Sequence, residues 1–195
     1  HMMFLNGVEE LKNICEEDGL LRIGAECTYS EMINDSRIPE ILKTVMKQIA
    51  SPAVRSSGTL SGNICNASPA GDSLPVLYAL SAIVVSKYLN DSGEVVTEKF
   101  PIEKFILGIR KIALKKEALV TEIEIPIESY SNVSKMYYEK VGARKSEAIS
   151  KLSFVGLIKT DKEKIIDARI AFGSVSIKVV RKSEIEKKII GLTLD

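Results

Sequence analysis

The sequence predicts an α+β chain in two parts: a mixed sheet with helices over residues 3–130, then a smaller domain of antiparallel strands with a helix over 131–195. Three observations carry this. Apolar residues from Ile38 to Ile49 recur at the helical period, the period falls to two from Ile83 onward, and a polar break from Ser129 to Ser134 separates the parts. The 195 residues, 45% of them hydrophobic, suffice for one medium core or two small ones.

Taken in order, Glu17 to Gly19 reads as a turn and Leu20 to Ile23 as a short strand. Thr28 caps a helix, with Glu31 completing a capping box. Ile38, Ile41, Leu42, Val45, Met46 and Ile49 share one helical face, and Pro39 fits the first turn. Ser51 to Pro75 shows almost no periodicity and is read as a long functional loop. Leu74, Leu77, Tyr78 and Leu80 mark another helix. Ile83 to Leu89 and Glu94 to Thr97 make a hairpin about Asn90 to Gly93, and Phe100 to Leu107 a helical turn. Thr121 to Ile127 alternates, isoleucines inward and glutamates outward and solvated. Past the break, strands are expected at Lys135 to Lys140, Leu152 to Lys159 and Ile165 to Val180, the last bending at Gly173. Ser183 and Glu186 form a second capping box, for a helix with Ile185 and Ile189 inward and Gly191 at its end.

Composition excludes several functions. Lys plus Arg number 27 against 26 Asp plus Glu, so nothing drives the chain toward nucleic acid or an acidic membrane. No apolar stretch approaches bilayer-spanning length and no secretory pattern opens the sequence, so the expected setting is cytoplasmic, without membrane insertion. Cys15, Cys27 and Cys65 are odd in number and widely spaced, which fits three reduced thiols rather than a disulfide framework or metal site. The one histidine, His1, lies with Met2 in what reads as a tag remnant. Histidine-based nucleophilic catalysis, a histidine-ligated zinc and a histidine proton relay are all excluded for the rest of the chain.

The chemistry concentrates in Ser51 to Asn63, continuing from Ser68 to Asp72. Glycines there permit close backbone approach or positive φ, and a loop of small residues can turn several N–H groups toward one anion. Thr59, Ser61 and Asn63 add hydroxyl and amide groups at alternate positions, and Asp72 stands ready to cap a helix or accept a ligand hydrogen bond. Composition alone fits an ordinary surface loop equally well, and the segment is neither a Walker A loop nor a dinucleotide fingerprint.

The order of residues resembles one family, the FAD-binding subunits of molybdenum hydroxylases (the xanthine dehydrogenase and carbon monoxide dehydrogenase group). The resemblance runs from Ile49-Ala50 through Pro52, Val54-Arg55, Gly58-Thr59 and Gly62-Asn63, then through Ser68-Pro69-Ala70, Asp72, Pro75 and Leu80. It continues in Leu21 to Ala25, Glu122 to Pro126 and Tyr138 to Lys145. It implies that the chain is the second subdomain of an FAD-binding domain followed by the family's C-terminal domain. FAD contacts would fall on Thr59, Ser61, Gly62, Asn63, Asp72, Val120 and Lys140. For Val120 a buried strand residue, and for Lys140 a surface pair with Glu139, are the competing readings.

The resemblance further implies an electron relay. A molybdenum-cofactor large subunit oxidises the substrate, the 2Fe-2S clusters of a small subunit carry the electrons, and FAD on this chain passes them to an external acceptor. Ser61 replaces the first of two glycines in the family pattern, which would weaken FAD binding if that position needs positive φ or very close ligand approach. The chain is also shorter than relatives at both ends, beginning beyond a small glycine-rich subdomain. An apo scaffold that only docks to the partner subunits is therefore the alternative, and a homodimer of the isolated chain stays open.

Overall fold

A computed structural model describes residues 4–5, 7–144 and 147–193 of the chain. It begins with a hairpin, β1 (Ile14–Glu17) and β2 (Leu20–Gly24), closed by a two-residue turn. Asp18 and Gly19 have φ of 51° and 74°, the doubly positive turn that suits strand twist and favours Asp-Gly. Next come α1 (Tyr29–Asn34), α2 (Glu40–Met46), α3 (Pro52–Arg55), α4 (Leu60–Asn66) and α5 (Leu74–Ala79). The chain returns to the sheet as β3 (Ile83–Leu89) and β4 (Val95–Pro101). A short α6 (Ile102–Phe105) and the small pair β5 (Ile106–Gly108) and β6 (Lys111–Ile112) lead into β7 (Leu119–Pro126).

The class is α+β, as expected, but the first sheet is not mixed. Its order is β1-β2-β7-β3-β4 and every pairing is antiparallel. The reason is topological. β2 and β3, joined by the helical crossover, run parallel, but β7 inserts between them and opposes both. Leu21, Ile23, Val84, Ile123 and Ile125 join one apolar cluster with Met32, Leu42, Val45, Met46, Ile64 and Leu77 of the helices.

Several boundaries move. α2 is shorter than its apolar face suggests, with Pro39 at the N-cap position and Ile49 beyond the last turn. On the opposite face of the sheet the glutamates are not simply solvated. Glu122 is half-buried and Glu124 fully buried, its carboxylate held by Lys99 Nζ at 2.8 and 2.9 Å and by Arg22 Nη1 at 3.4 Å. Long basic side chains lying across neighbouring strands cover it, their aliphatic stems excluding water.

The second sheet holds β8 (Lys135–Gly142), β9 (Ser150–Asp161), β10 (Lys164–Gly173) and β11 (Val180–Arg181), in the order β11-β10-β9-β8. The expected single bent strand, Ile165 to Val180, is two: the chain leaves β10 at Gly173 and folds back as β11, Phe172 opposite Val180. Ser174 makes the turn with φ of 65°. Gly173 is needed for contact, since a Cβ there would overlap Ser153 Oγ and sit 2.8 Å from Pro75 Cγ.

The last helix, α7 (Ser183–Ile189), lacks the expected capping box: Lys182 is its N-cap and gives no side-chain cap. Glu186 instead turns inward, accepting from Ile170 N and Arg181 Nε, each at 2.8 Å. Arg181 is itself fixed to Tyr78 O at 2.8 Å. That tether sets the helix phase and leaves Ile185, expected inward, 54% exposed. α5 packs on both β9 and β10, so the apolar cluster runs on to Tyr138, Val155, Leu157 and Ala171. Among the described residues no helix is long and apolar enough to cross a membrane.

Candidate functional site

The segment from Ser51 to Pro75 is not one open loop. Ser51 caps α3, with Pro52 in its first turn, and Thr59 caps α4, its hydroxyl accepting from Gly62 N at 3.0 Å. Two short helices escape a periodicity reading because neither completes two turns. Arg55 closes the approach, donating to Ile49 O and Ala50 O at 2.8 Å each.

The start of α4 is laced to the start of α1. The predicted capping box of Thr28 and Glu31 is present. Tyr29 N donates to Gly58 O at 2.9 Å, and Thr28 and Thr59 form an isolated antiparallel bridge. Gly58 is there for closeness: a Cβ would lie 3.3 Å from the Tyr29 ring. None of Gly58, Gly62 and Gly71 has positive φ; the left-handed residues are Ala67 within the segment and Ala50 just before it. Ser61 lies on regular helical backbone without positive φ, so its Cβ meets no backbone strain there. Its hydroxyl is buried, donating to Ala25 O at the end of β2 and 3.1 Å from Thr59 Oγ1.

Around this lacing lies an open hollow of about 410 Å³ lined by Tyr29, Ile49, Thr59, Gly62, Asn63 and Asn66, among others. Three of the expected contacts, Thr59, Gly62 and Asn63, share it. Asn63 leads out of it: its Oδ1 accepts from Ser73 Oγ at 2.8 Å, and Ser73 adjoins Asp72. Asp72 does not cap α5. Its carboxylate takes Lys140 Nζ at 2.6 Å and the Ser150 hydroxyl. The pair is nearly enclosed, with side-chain exposures of 8% for Lys140 and 11% for Asp72. Lys140 therefore reaches across to the segment before α5 rather than pairing with Glu139, which accepts from Tyr137 Oη at 2.6 Å. Lys140 Nζ also lies 3.4 Å from Gln48 O, beside Ile49, so the two features adjoin. Lys140 lines a second hollow of about 370 Å³ with Gln48, Glu139, Gly142 and Arg144.

Ser61, Asp72 and Val120 line neither hollow, and neither holds Lys140 together with Thr59, Gly62 and Asn63. Val120 is buried in β7 within the apolar cluster, on a strand that packs against α4. Sequence reasoning missed Tyr29, Asn66, Ser73 and Ser150. Tyr29 had one signal, an aromatic directly after a capping threonine; Ser150, 78 positions from Asp72, had none.

Burial governs titration here. It pushes the Tyr29 phenol up, with Ser73 opposing and the charge of Asp72 adding, and it pushes Tyr138 up with the same carboxylate assisting. Burial also raises the Cys27 and Cys65 thiols to about 11. A thiol whose pKa is higher folded than unfolded gives stability that is whole below its ordinary value of 9.0 and lost as pH rises toward about 11. Urea midpoints are thus expected to hold level up to pH 9 and then fall. A Cys27→Ala, Cys65→Ala variant is expected to lose part of that slope, and an unchanged slope would reject the assignment.

Residues 1–128 match the FAD binding domain in molybdopterin dehydrogenase. The chain belongs to that family. It is 30% identical to the glyceraldehyde dehydrogenase medium chain of Sulfolobus acidocaldarius over 200 residues, covering 100% of this chain and 67% of that one. It is also 30% identical to the caffeine dehydrogenase subunit beta of a Pseudomonas strain, over 96% of this chain and 62% of that subunit. The chain thus spans about two thirds of these subunits. By fold it is similar to quinoline 2-oxidoreductase from Pseudomonas putida 86 (TM-score 0.87, 22% identity, 98% of this chain and 65% of that one). Carbon monoxide dehydrogenase from Hydrogenophaga pseudoflava is alike too (TM-score 0.86, 23% identity, 96% and 64%). The family read from Ile49 to Asn63 and Ser68 to Leu80 is the family found.

Proposed function

We infer that the hollow at the start of α4 takes part of an FAD molecule, and that the chain is the FAD-carrying electron-transfer component of a molybdenum-cofactor hydroxylase. The observation that carries this is the convergence of Thr59, Gly62 and Asn63 on one hollow, tied through Ser73 to the buried Asp72–Lys140 pair. The lining suits the cofactor. It includes no carboxylate to repel a phosphate, and it supplies hydroxyl and amide groups beside the apolar surfaces of Ile49, Val54 and Tyr29. Ser61 and Val120 act from behind, Ser61 by anchoring Thr59 to β2 and Val120 by supporting α4.

When bound, FAD supplies the exchange between one-electron and two-electron carriers. The chain's own residues position it. Gly62 leaves room at the wall, Thr59 and Asn63 orient by hydrogen bonds, and Lys140 with Asp72 sets a local dipole beside the site. Partners in this reading are an iron–sulfur small subunit and a molybdenum-cofactor large subunit, in the cytoplasm, and residues 131–195 form the docking-side C-terminal domain.

Gly62→Ala separates binding from folding. A Cβ there would meet only Thr59 Oγ1, at 3.1 Å, while alanine is favoured over glycine in a helix by about 1 kcal/mol. Stability should therefore stay within about 1 kcal/mol of the parent. Titrated with FAD and followed by flavin fluorescence, the variant should bind about tenfold more weakly. Equal affinity for the two proteins would remove the hollow from the cofactor site. A parent chain that takes up no FAD at all would overturn the reading and leave the docking scaffold.

A further inference from the structure

The long free margin of the second sheet is β8. Among the described residues it pairs with β9 alone, and the other margin, β11, is two residues long. Exposed edges of this length usually carry a proline, a bulge or a cover, because unpaired backbone groups are a template for another strand. β8 has no proline, and its one register shift lies at its end, between Val141 and Gly142.

Side chains alternate along it. Tyr138 points into the core and Lys140 to Asp72, so Lys135, Tyr137, Glu139 and Val141 share the outer face. Tyr137 is 57% exposed and Val141 46%. Tyr137 begins an aromatic stripe across three strands: its ring centroid is 6.3 Å from Phe154, which is 5.2 Å from Phe172. Both phenylalanines stay only half-buried.

We propose that β8 is a dimerisation edge and that its partner is β8 of a second copy of this chain, antiparallel, on a two-fold axis through Tyr137. Charge selects the register. A two-fold axis normal to the sheet keeps the outer faces on one side. With Tyr137 on that axis, each Lys135 stands opposite Glu139 of the other copy, twice by symmetry. Centring on Glu139 sets carboxylate against carboxylate, centring on Lys135 sets ammonium against ammonium, and centring on Tyr138 puts Lys135 opposite Val141. The Tyr137 register also joins the two aromatic stripes into one. Symmetric closure makes this a dimer rather than a fibre. A single strand pair is a small interface, so the dimer is expected in the micromolar range.

Sedimentation velocity on the full chain, from low micromolar to sub-millimolar concentration, tests it. The parent should be a reversible dimer. Glu139→Lys makes two like-charge pairs and should weaken association about tenfold or more. Adding Lys135→Glu should restore it to within about twofold, with circular dichroism unchanged throughout. A parent monomeric at every concentration overturns the proposal. So does a dimer indifferent to Glu139→Lys, or a charge swap that fails to restore. The proposal does not rest on the flavin reading, and a parent that binds FAD but stays monomeric overturns the dimer alone, although Glu139 also lines the hollow beside Lys140.

Discussion

Asp72→Ala is expected to destabilise the fold by about 3–5 kcal/mol, read as a lower urea midpoint at unchanged slope. The magnitude comes from what is left behind. Lys140 keeps 8% side-chain exposure, so removing its counter-ion strands an ammonium group in a poorly solvated place. The Ser150 hydroxyl loses its acceptor as well. Gln48 O, at 3.4 Å, is too distant to compensate. The control is a double change, Asp72→Leu with Lys140→Met, which exchanges the ion pair for apolar groups of similar volume and should recover most of the loss. A single-variant cost below about 1 kcal/mol would mean that water reaches Lys140, and that the pair does not fasten the segment before α5 to β8. In the proposed function the pair matters because Ser73, next to Asp72, holds Asn63 by a 2.8 Å hydrogen bond. With a carboxylate 2.6 Å away, Lys140 would present a dipole, not a bare positive charge, to a flavin bound as proposed.

How much of this was legible from residues alone depends on the range of the force involved. The turn at Glu17 to Gly19, the Thr28–Glu31 capping box and the face of α2 are local, written within a few positions, and all are present, whereas β1 ahead of the turn was not read. Features set by distant partners were misread. Ser183 and Glu186 have capping-box spacing, but Arg181, held by Tyr78 O, draws Glu186 inward and turns Ile185 out. Glu124 alternates like a solvated strand residue and is buried because Lys99 and Arg22 come from other strands. The antiparallel sheet, where a mixed one was expected, likewise depends on β7, which lies more than thirty residues beyond the helical crossover. In the candidate site, Thr59, Gly62 and Asn63 were singled out from residue order and share one hollow, whereas the linkage of Asn63 through Ser73 to Asp72, Lys140 and Ser150 exists only once the sheets are packed.

Gly24→Ala, chemically the same change as Gly62→Ala, should have the opposite outcome, costing about 3 kcal/mol or more. Gly24 ends β2 where the segment from Leu11 to Asn13 crosses it. Gly24 N donates to Asn13 O at 2.8 Å and Glu26 N to Leu11 O at 2.9 Å. The backbone φ is not positive, so conformational freedom is not the reason for glycine. Space is. A Cβ would overlap Leu11 O, lie 2.6 Å from Leu11 C and 3.1 Å from Asn13 N. These are backbone atoms, which cannot swing aside as the Thr59 hydroxyl can beside Gly62. Relief requires lifting the crossing segment, which strains both hydrogen bonds and uncovers buried Leu11. The disturbance should travel further. Ala25 O, one residue on, is the acceptor for Ser61, and Ser61 holds the capping Thr59. Gly24→Ala should therefore lower the urea midpoint and speed amide exchange at Gly62 and Asn63 together. If it lowered the midpoint but left exchange at α4 unchanged, the link from β2 to the hollow would be wrong. Unfolding at the parent's urea concentration would show that the crossing yields freely.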